Sequence, residues 1–196
     1  MTDVQDAAAS LDRGDLVVIP TDTVYGLAAR PEVRGATAKV FEAKRRPRDL
    51  TLPVLVASVA EAGAIARMDA RARALAALFW PGPLTIVLPR GDRAAAWDLG
   101  EERETVGIRL PDHPVALSLL RITGPLAVTS ANRSGEPTPP DCDGVRRALG
   151  PAVAVYLCAG RCAGAPSTVV DLSGPQPRVT RPGAVGIDDI QDALGP

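Results

Sequence analysis

The sequence contains few of the residues from which many functional sites are built. Its 196 residues include one histidine and three cysteines, and aromatic residues make up 3%. Because zinc sites are built mainly from cysteine and histidine, so few of them without a CxxC pair argue against a zinc site. The odd number of cysteines favours a reducing cytoplasm, in which they remain buried or surface thiols.

The sequence also lacks long apolar runs. No stretch reaches the roughly 18 consecutive apolar residues expected of a membrane-spanning helix. The first residues, MTDVQDAAASLDRGD, are acidic and have no apolar segment of the signal-peptide kind. We therefore expect a cytoplasmic protein without membrane contact.

Excess charge of one sign is missing too. The net charge is −1, which excludes a globally basic nucleic-acid binder and leaves room only for a local basic site. Lys39 and Lys44 are the only lysines, so 20 of the 22 basic residues are arginines. Hydrophobic residues make up 46%, enough for a proper core, and no linker-like tract interrupts them. We expect one domain over residues 1–196.

Common catalytic signatures are absent. The sequence has no GxxxxGK[ST], GxGxxG, GxSxG or HExxH motif. The single histidine, His113, lies in RLPDHP directly before a proline. This position is more typical of a residue that begins a helix than of a catalytic base.

Short apolar runs alternate irregularly with helical segments. This irregular spacing favours an α/β fold with a mixed sheet flanked by helices over a doubly wound sheet. The predicted strands are 16–20, 52–57, 84–89, 105–110, 126–129, 153–157, 168–172 and 178–181. The main predicted helices are 3–12, 33–43, 59–79 (broken near 68–69), 114–121, 141–149 and 188–194, and residues 21–31 are predicted as a loop.

Two polar segments adjoin the first apolar strand and the second helix. Pro20–Leu27 holds two hydroxyls, a carboxylate and a phenol directly after a strand, which fits either a ligand site or a turn that caps the strand. Lys44–Arg48 holds four cations in five residues. These cations either complement the C-terminus of a helix or bind a polyphosphate, and their density favours the polyphosphate.

Further polar segments follow later strands. Arg109 lies in an apolar strand and, if buried, needs a partner, which is either a ligand carboxylate or a protein carboxylate such as Asp22. Thr129–Gly135 fits either an anion-binding turn or an ordinary polar turn. Residues 166–168 and 180–183 are as typical of surface turns as of a ligand site. Together these segments offer hydroxyls, amides and cations without an obvious nucleophile, which suits nucleotide chemistry driven by positioning and charge stabilisation.

Seven segments occur in the order seen in one enzyme family. PTDTVYGL, KRRP, WPGPLTIVL, GIRLPDHP, TSANRSG, PSTVVDL and RPGAV resemble the motifs of YrdC-like threonylcarbamoyl-adenylate synthases, over about residues 14–186. The resemblance implies a twisted mixed α/β sheet with a concave, positively charged face. It also implies that L-threonine, bicarbonate and ATP, with Mg²⁺, become threonylcarbamoyl-AMP and pyrophosphate. A separate threonylcarbamoyl transferase would then modify tRNA next to the anticodon.

The resemblance also implies roles for single residues. The family's nucleotide and catalytic cluster falls on Lys44, Arg46, Ser130 and Asn132, and further ATP contacts fall on Thr105, Thr138 and Arg181. Threonine contacts fall on Thr23, Arg109, Val128 and Ser167. No metal-binding protein side chain is implied, because Mg²⁺ is held largely by ATP and water.

One segment departs from the family pattern. Many members have a histidine near the threonine in the strand after the basic motif, whereas residues 48–58 here read RDLTLPVLVAS. Two alternative functions stay open: an RNA-binding module of the same fold with weak tRNA contact, and transfer of a carbamoyl group from carbamoyl phosphate. The small number of aromatic residues argues against the RNA-binding alternative, because single-stranded RNA is bound largely by stacking.

Overall fold

Within residues 2–162 and 164–195, which this computed structural model describes, nine β-strands join into one sheet. The strands are β1 (Val17–Ile19), β2 (Gly26–Ala29), β3 (Val54–Leu55), β4 (Leu84–Pro89), β5 (Thr105–Arg109), β6 (Leu126–Ser130), β7 (Val155–Tyr156), β8 (Thr168–Asp171) and β9 (Arg178–Arg181). The helices are α1 (Thr2–Asp12), α2 (Ala36–Lys44), α3 (Val59–Ile65), α4 (Ala70–Phe79), α5 (Pro114–Thr123), α6 (Cys142–Leu149) and α7 (Ile187–Leu194).

The sheet is mixed, as the irregular strand spacing predicts. Its strand order is β7-β1-β2-β6-β3-β5-β4-β8-β9. Strand β1 pairs with β7, β3 with β5 and β4 with β8 in parallel, while the other neighbours are antiparallel. The prediction of a mixed sheet flanked by helices is therefore confirmed.

Alternating residues of the central strands point to opposite faces of the sheet. In β4 and β5, Ile86 and Ile108 belong to the larger core, together with residues of α2, α3, α4, α6 and α7. On the opposite face, α1 and α5 cover strands β1, β2 and β6 with a second core that includes Leu11 and Leu119. The rest of that face, towards β4, β5 and β8, lines a cavity.

Side-chain caps explain several helix starts. Asp141 accepts a hydrogen bond from the Gly144 N–H (2.8 Å) at the start of α6, as the sequence predicts. Asp69 and Ser58 cap α4 and α3 in the same way. The break predicted near residues 68–69 is confirmed, because α3 and α4 are separate helices.

The prediction of a loop over residues 21–31 is wrong, because Gly26–Ala29 form β2. This strand pairs with β1 in antiparallel fashion and with β6 on its other side. Its sequence, GLAA, has weak strand propensity, so local preference does not reveal it. A Cβ atom on Gly26 would lie 2.6 Å from Val128 Cγ1, which explains why glycine stands where the two strands meet.

The expectation of three free thiols is also wrong. Cys142 and Cys158 form a disulfide, with their Cα atoms 5.6 Å apart, and Cys162 is free and buried. The bond joins the start of α6 to the segment after β7, two places that are 16 residues apart in sequence. Their contact depends on how α6 packs, which residue spacing does not reveal. No helix in the described part of the chain is both long and apolar enough to cross a membrane.

Candidate active site

A cavity of about 750 Å³ opens on the sheet face that α1 and α5 leave free. Successive side chains of a strand point to opposite faces of the sheet, so the residues of β4 and β5 that face the cavity are the sequence neighbours of residues that face the core. The floor residues are Thr85 and Val87 from β4 and Thr105, Gly107 and Arg109 from β5. Turns at the ends of β1, β6 and β8 form its walls.

The structure brings together every predicted site residue except Lys44. The cavity is lined by Thr23, Arg46, Thr105, Arg109, Val128, Ser130, Asn132, Thr138, Ser167 and Arg181. These residues come from segments spread over most of the sequence. Their assembly in one cavity is a property of the sheet order and could not be read from spacing.

The turn between β1 and β2 is held by its own hydroxyl groups. Thr21 Oγ1 donates a hydrogen bond to the Val24 carbonyl (2.6 Å) and accepts one from the Thr23 N–H (3.2 Å). It also lies 3.0 Å from Thr23 Oγ1. The turn predicted as one interpretation of this segment is present, and it presents Thr23 to the cavity.

Arg109 is buried in the cavity floor and has several partners. Its Nη2 donates to Asp22 Oδ1 (2.6 Å) and its Nη1 to Thr23 Oγ1 (2.9 Å). Its Nε donates to the Gly82 carbonyl (3.0 Å). Burial lowers the pKa of Arg109, while the adjacent Asp22 carboxylate opposes that shift. Of the two partners considered from the sequence, the structure contains Asp22.

Lys44 lies behind the cavity wall and is 1% exposed. Its ammonium donates to the main-chain carbonyls of Ser130 and Asn132, and to Asn132 Oδ1 at 3.2 Å. Burial, with a smaller contribution from the Arg46 charge, lowers the pKa of Lys44 to about 8. The three N–H groups therefore hold the turn after β6, and they do not point into the cavity.

Asn132 shapes that turn from within. Its Nδ2 donates to the main-chain carbonyls of Arg133 (2.9 Å) and Glu136 (2.6 Å). Its Oδ1 accepts a hydrogen bond from Thr138 Oγ1 (3.2 Å) in addition to the one from Lys44. Asn132 thus connects both ends of the segment that places Ser130 and Thr138 at the cavity.

Two further arginines line the cavity. Arg46 donates to the main-chain carbonyls of Leu50 (2.8 Å) and Thr51 (3.3 Å). Arg181 donates to the Ser167 carbonyl (2.8 and 3.1 Å) and to Ser167 Oγ (2.9 Å). Burial lowers the pKa of Arg46, and repulsion by the charge of Arg181 adds to that shift. The positive charge of these two guanidinium groups favours an anionic ligand in the cavity.

The four cations of the basic segment do not act as one group. Arg46 lines the cavity, while Lys44 holds the turn after β6. Arg48 pairs with Asp98 and lies over the Phe41 ring, 4.6 Å from its centroid. Arg45, in a left-handed conformation (φ 50°), ends α2 and is exposed. Density of charge in the sequence does not show which of these side chains reaches the cavity.

His113 begins a helix, as expected. It is the N-cap of α5, where Nδ1 accepts a hydrogen bond from the Val115 N–H (3.3 Å). Burial lowers its pKa. Within the residues described, His113 is not among those lining the cavity.

Several lining residues were missed by sequence reasoning. Thr85, Val87 and Gly107 share the face of Arg109, and their two-residue spacing is the signal that could have identified them. Leu55 lines the cavity from the strand that lacks the family's histidine. It is paired in register with Arg109, so an apolar side chain stands beside the guanidinium.

The cavity offers little to a metal ion. In residues 2–162 and 164–195, no three side chains among His, Cys, Asp and Glu meet in a group that could hold one. Glu136 is the carboxylate among the lining residues, alongside Arg46, Arg109 and Arg181. This donor set fits Mg²⁺ that arrives already bound to nucleotide phosphates and water.

These observations define the class of the protein as an α/β protein whose mixed sheet carries an arginine-rich cavity suited to an anionic ligand. The chain belongs to the Sua5/YciO/YrdC family, whose sequence profile, described as "Telomere recombination", matches residues 9–183. A relative from Mycobacterium tuberculosis is 47% identical over 191 residues, which cover 96% of this chain and 88% of that protein.

Two further relatives are longer than this chain. The threonylcarbamoyl-AMP synthase of Bacillus subtilis is 37% identical and aligns with 98% of this chain. The crystal structure of Pyrococcus abyssi Sua5 complexed with L-threonine is 34% identical, superposes with a TM-score of 0.89 and aligns with 98% of this chain. The chain spans 57% of the length of each of these two proteins.

Proposed function

We propose that this chain is a threonylcarbamoyl-AMP synthase, a nucleotidyltransferase that uses L-threonine, bicarbonate and ATP. The observation that supports this most is the composition of the cavity. Its Arg46 and Arg181 side chains suit a phosphate chain, and its Thr23, Ser167 and Arg109 side chains suit a small hydroxylated amino acid. A volume of about 750 Å³ accommodates both substrates at once.

The reaction has two bond-forming steps. The threonine nitrogen adds to the carbon of bicarbonate with loss of water, which gives a carbamate. A carbamate oxygen then attacks the α-phosphorus of ATP, and the bond to the pyrophosphate leaving group breaks. Such a displacement depends mainly on alignment and charge stabilisation, so a cavity without a strong base is sufficient.

Each predicted residue has a role in this proposal. Arg46 and Arg181 stabilise the phosphates, while Thr105, Ser130, Asn132 and Thr138 position the nucleotide. Lys44 acts by holding the Ser130–Asn132 turn. Thr23, Arg109, Val128 and Ser167 bind threonine, and Mg²⁺ accompanies ATP.

The wider setting is also part of the proposal. We expect residues 1–196 to act as a single cytoplasmic domain that delivers threonylcarbamoyl-AMP to a transferase acting on tRNA, with at most weak tRNA contact of its own. Of the three arginines that line the cavity, Arg46 and Arg181 serve the nucleotide in this scheme, and Arg109 serves threonine.

Pyrophosphate release tests the proposal directly. The assay contains ATP, Mg²⁺ and bicarbonate, with L-threonine, L-serine or no amino acid. We expect release that requires both threonine and bicarbonate. Release supported by carbamoyl phosphate instead would favour carbamoyl transfer, and tight RNA binding with no release would favour the RNA-binding alternative.

Comparing two arginine variants tests whether that activity depends on the cavity. Arg46→Ala removes a cavity guanidinium and should lower turnover by about 100-fold, the scale of one lost preorganised donor. Arg48→Ala removes a neighbouring guanidinium that pairs with Asp98 outside the cavity lining, so turnover should stay near the wild-type value. Equal activity of the two variants would contradict the placement of the phosphates.

A further inference from the structure

Asp22 is the carboxylate that neutralises Arg109. Its Oδ1 lies 2.6 Å from Arg109 Nη2, and the two side chains are 15% and 7% exposed. The same oxygen accepts a hydrogen bond from the Asp112 N–H (3.0 Å). A buried ion pair of this geometry fixes the guanidinium in one orientation.

The second oxygen of Asp22 is used differently. Oδ2 is buried and has no hydrogen-bond partner in the described part of the chain. A buried carboxylate oxygen without a donor is unfavourable, so Oδ2 adds nothing to the stability of the pair. What Asp22 supplies at this place is negative charge beside Arg109.

The three arginines that line the cavity differ in their partners. Arg46 and Arg181 form no ion pair with any residue that the structure describes, whereas Arg109 has Asp22. Repulsion by the charge of Arg181 lowers the pKa of both Arg46 and Arg109. Without Asp22, none of the three cavity arginines would have an ion-pair partner in the described residues.

We infer that Asp22 is a positioning and specificity-determining residue: it fixes Arg109 and cancels its charge, so that Arg109 accepts an amino-acid zwitterion and rejects phosphate chains. The inference rests on the proposed function, since it assigns the zwitterion to Arg109. An unpaired guanidinium binds polyphosphate bidentately and strongly. A neutral pair still donates hydrogen bonds to a carboxylate but offers no net charge to a polyanion.

The geometry leaves Arg109 able to bind a substrate. A guanidinium has five N–H groups. Gly82, Thr23 and Asp22 accept one each, and two stay free for a carboxylate. Asp22 therefore removes the attraction to polyanions without using up the donors that a carboxylate needs.

Asp22→Asn isolates the charge. The amide oxygen can keep both hydrogen bonds of Oδ1, and the amide nitrogen replaces an oxygen that makes none. Asp112→Asn is the matched control, because it removes the same charge from an exposed adjacent residue that has no ion pair in the described structure. Circular dichroism would verify that both variants fold.

The readout is calorimetric binding of inorganic pyrophosphate and of L-threonine. We expect the wild type and Asp112→Asn each to bind one pyrophosphate. That pyrophosphate should not change the affinity for threonine. Asp22→Asn should bind a second pyrophosphate, which weakens threonine binding by about tenfold or more, as expected for an uncompensated charge contact. Asp22→Asn/Arg109→Gln should return to one pyrophosphate, because both charges are gone.

Two results would overturn the inference. One is a single pyrophosphate site in Asp22→Asn with unchanged threonine binding. The other is loss of threonine binding in that variant without a second pyrophosphate site, which would make Asp22 structural only. Failure of the proposed function is distinguishable, because the wild type would then bind no threonine while the pyrophosphate stoichiometries of the variants could still be compared.

Discussion

Lys44 is a buried ammonium whose three N–H groups are all accepted by one turn of the chain. A neutral amine has two N–H groups and would leave one of these acceptors facing a lone pair. The turn carries Ser130 and Asn132 at the cavity, so the protonation of Lys44 should determine how these two residues are placed for the nucleotide.

Because the pKa of Lys44 is about 8, ATP affinity and the unfolding free energy should change in opposite directions as the pH rises. ATP affinity should fall as pH rises past 8, because deprotonation loosens the turn. The unfolding free energy should rise relative to a Lys44→Met variant between pH 8 and 10.5, because the unfolded lysine keeps its proton over that range while the folded one loses it. Calorimetric ATP titrations and urea unfolding at several pH values measure both. A flat ATP affinity from pH 7 to 9.5 would contradict the role of the ammonium.

The sequence predicts the side-chain contacts of some site residues and not of others. Arg109 in an apolar strand required a partner, and Asp22 was one of two candidates because a buried guanidinium cannot stay unpaired. The direction of Lys44 could not be predicted, since consecutive residues at a helix end diverge and only tertiary packing selects among them.

Among the secondary-structure elements, strands rich in β-branched residues were predictable, and a strand of weak strand propensity was not. The bounds of β4 and β9 match the sequence prediction, while β2 was assigned to a loop. Strand β2 exists because β1 and β6 both pair with it, which is a property of the sheet and not of the GLAA sequence. The missed strand matters, because it makes residues 20–25 a turn facing the cavity.

The disulfide between α6 and the segment after β7 should stabilise the fold. Closing a loop of 16 residues contributes about 3 kcal/mol to the unfolding free energy, mainly by restricting the unfolded chain. Cys142→Ser should lose about this amount in urea unfolding under oxidising conditions. With a thiol reductant present, the variant and the wild type should differ little.

A thiol count is the direct check on that bond. Under denaturing, non-reducing conditions the wild type should show one reactive thiol, from Cys162, and three after reduction. Three thiols before reduction would show that Cys142 and Cys158 remain free in solution.

At the scale of the whole molecule, one sheet face is shared between a packed core and a cavity. Helices α1 and α5 bury the part formed by β1, β2 and β6, and the part formed by β4, β5 and β8 stays open to ligand. Ligand bound on the open part should therefore stabilise the folded protein, as helices α1 and α5 do on the rest of that face. Binding to the folded state alone raises stability by about 2.7 kcal/mol when the ligand is at 100 times its dissociation constant.

A larger side chain at Gly107 should block ligand binding and so remove this stabilisation by ligand. Gly107 lies on the cavity floor, and an added Cβ would meet Thr85 Cγ2 at 3.3 Å and Pro53 Cβ at 3.5 Å, so a side chain fits with small adjustments but occupies ligand space. Gly107→Val should keep or raise the melting temperature without ligand, because valine favours strands. It should also lose most of the shift of about 5–10 °C that ATP and threonine give the wild type. Gly63→Ala, at an open position in α3, is the control and should keep the shift. A full ligand-induced shift in Gly107→Val would place the ligands elsewhere than on this floor.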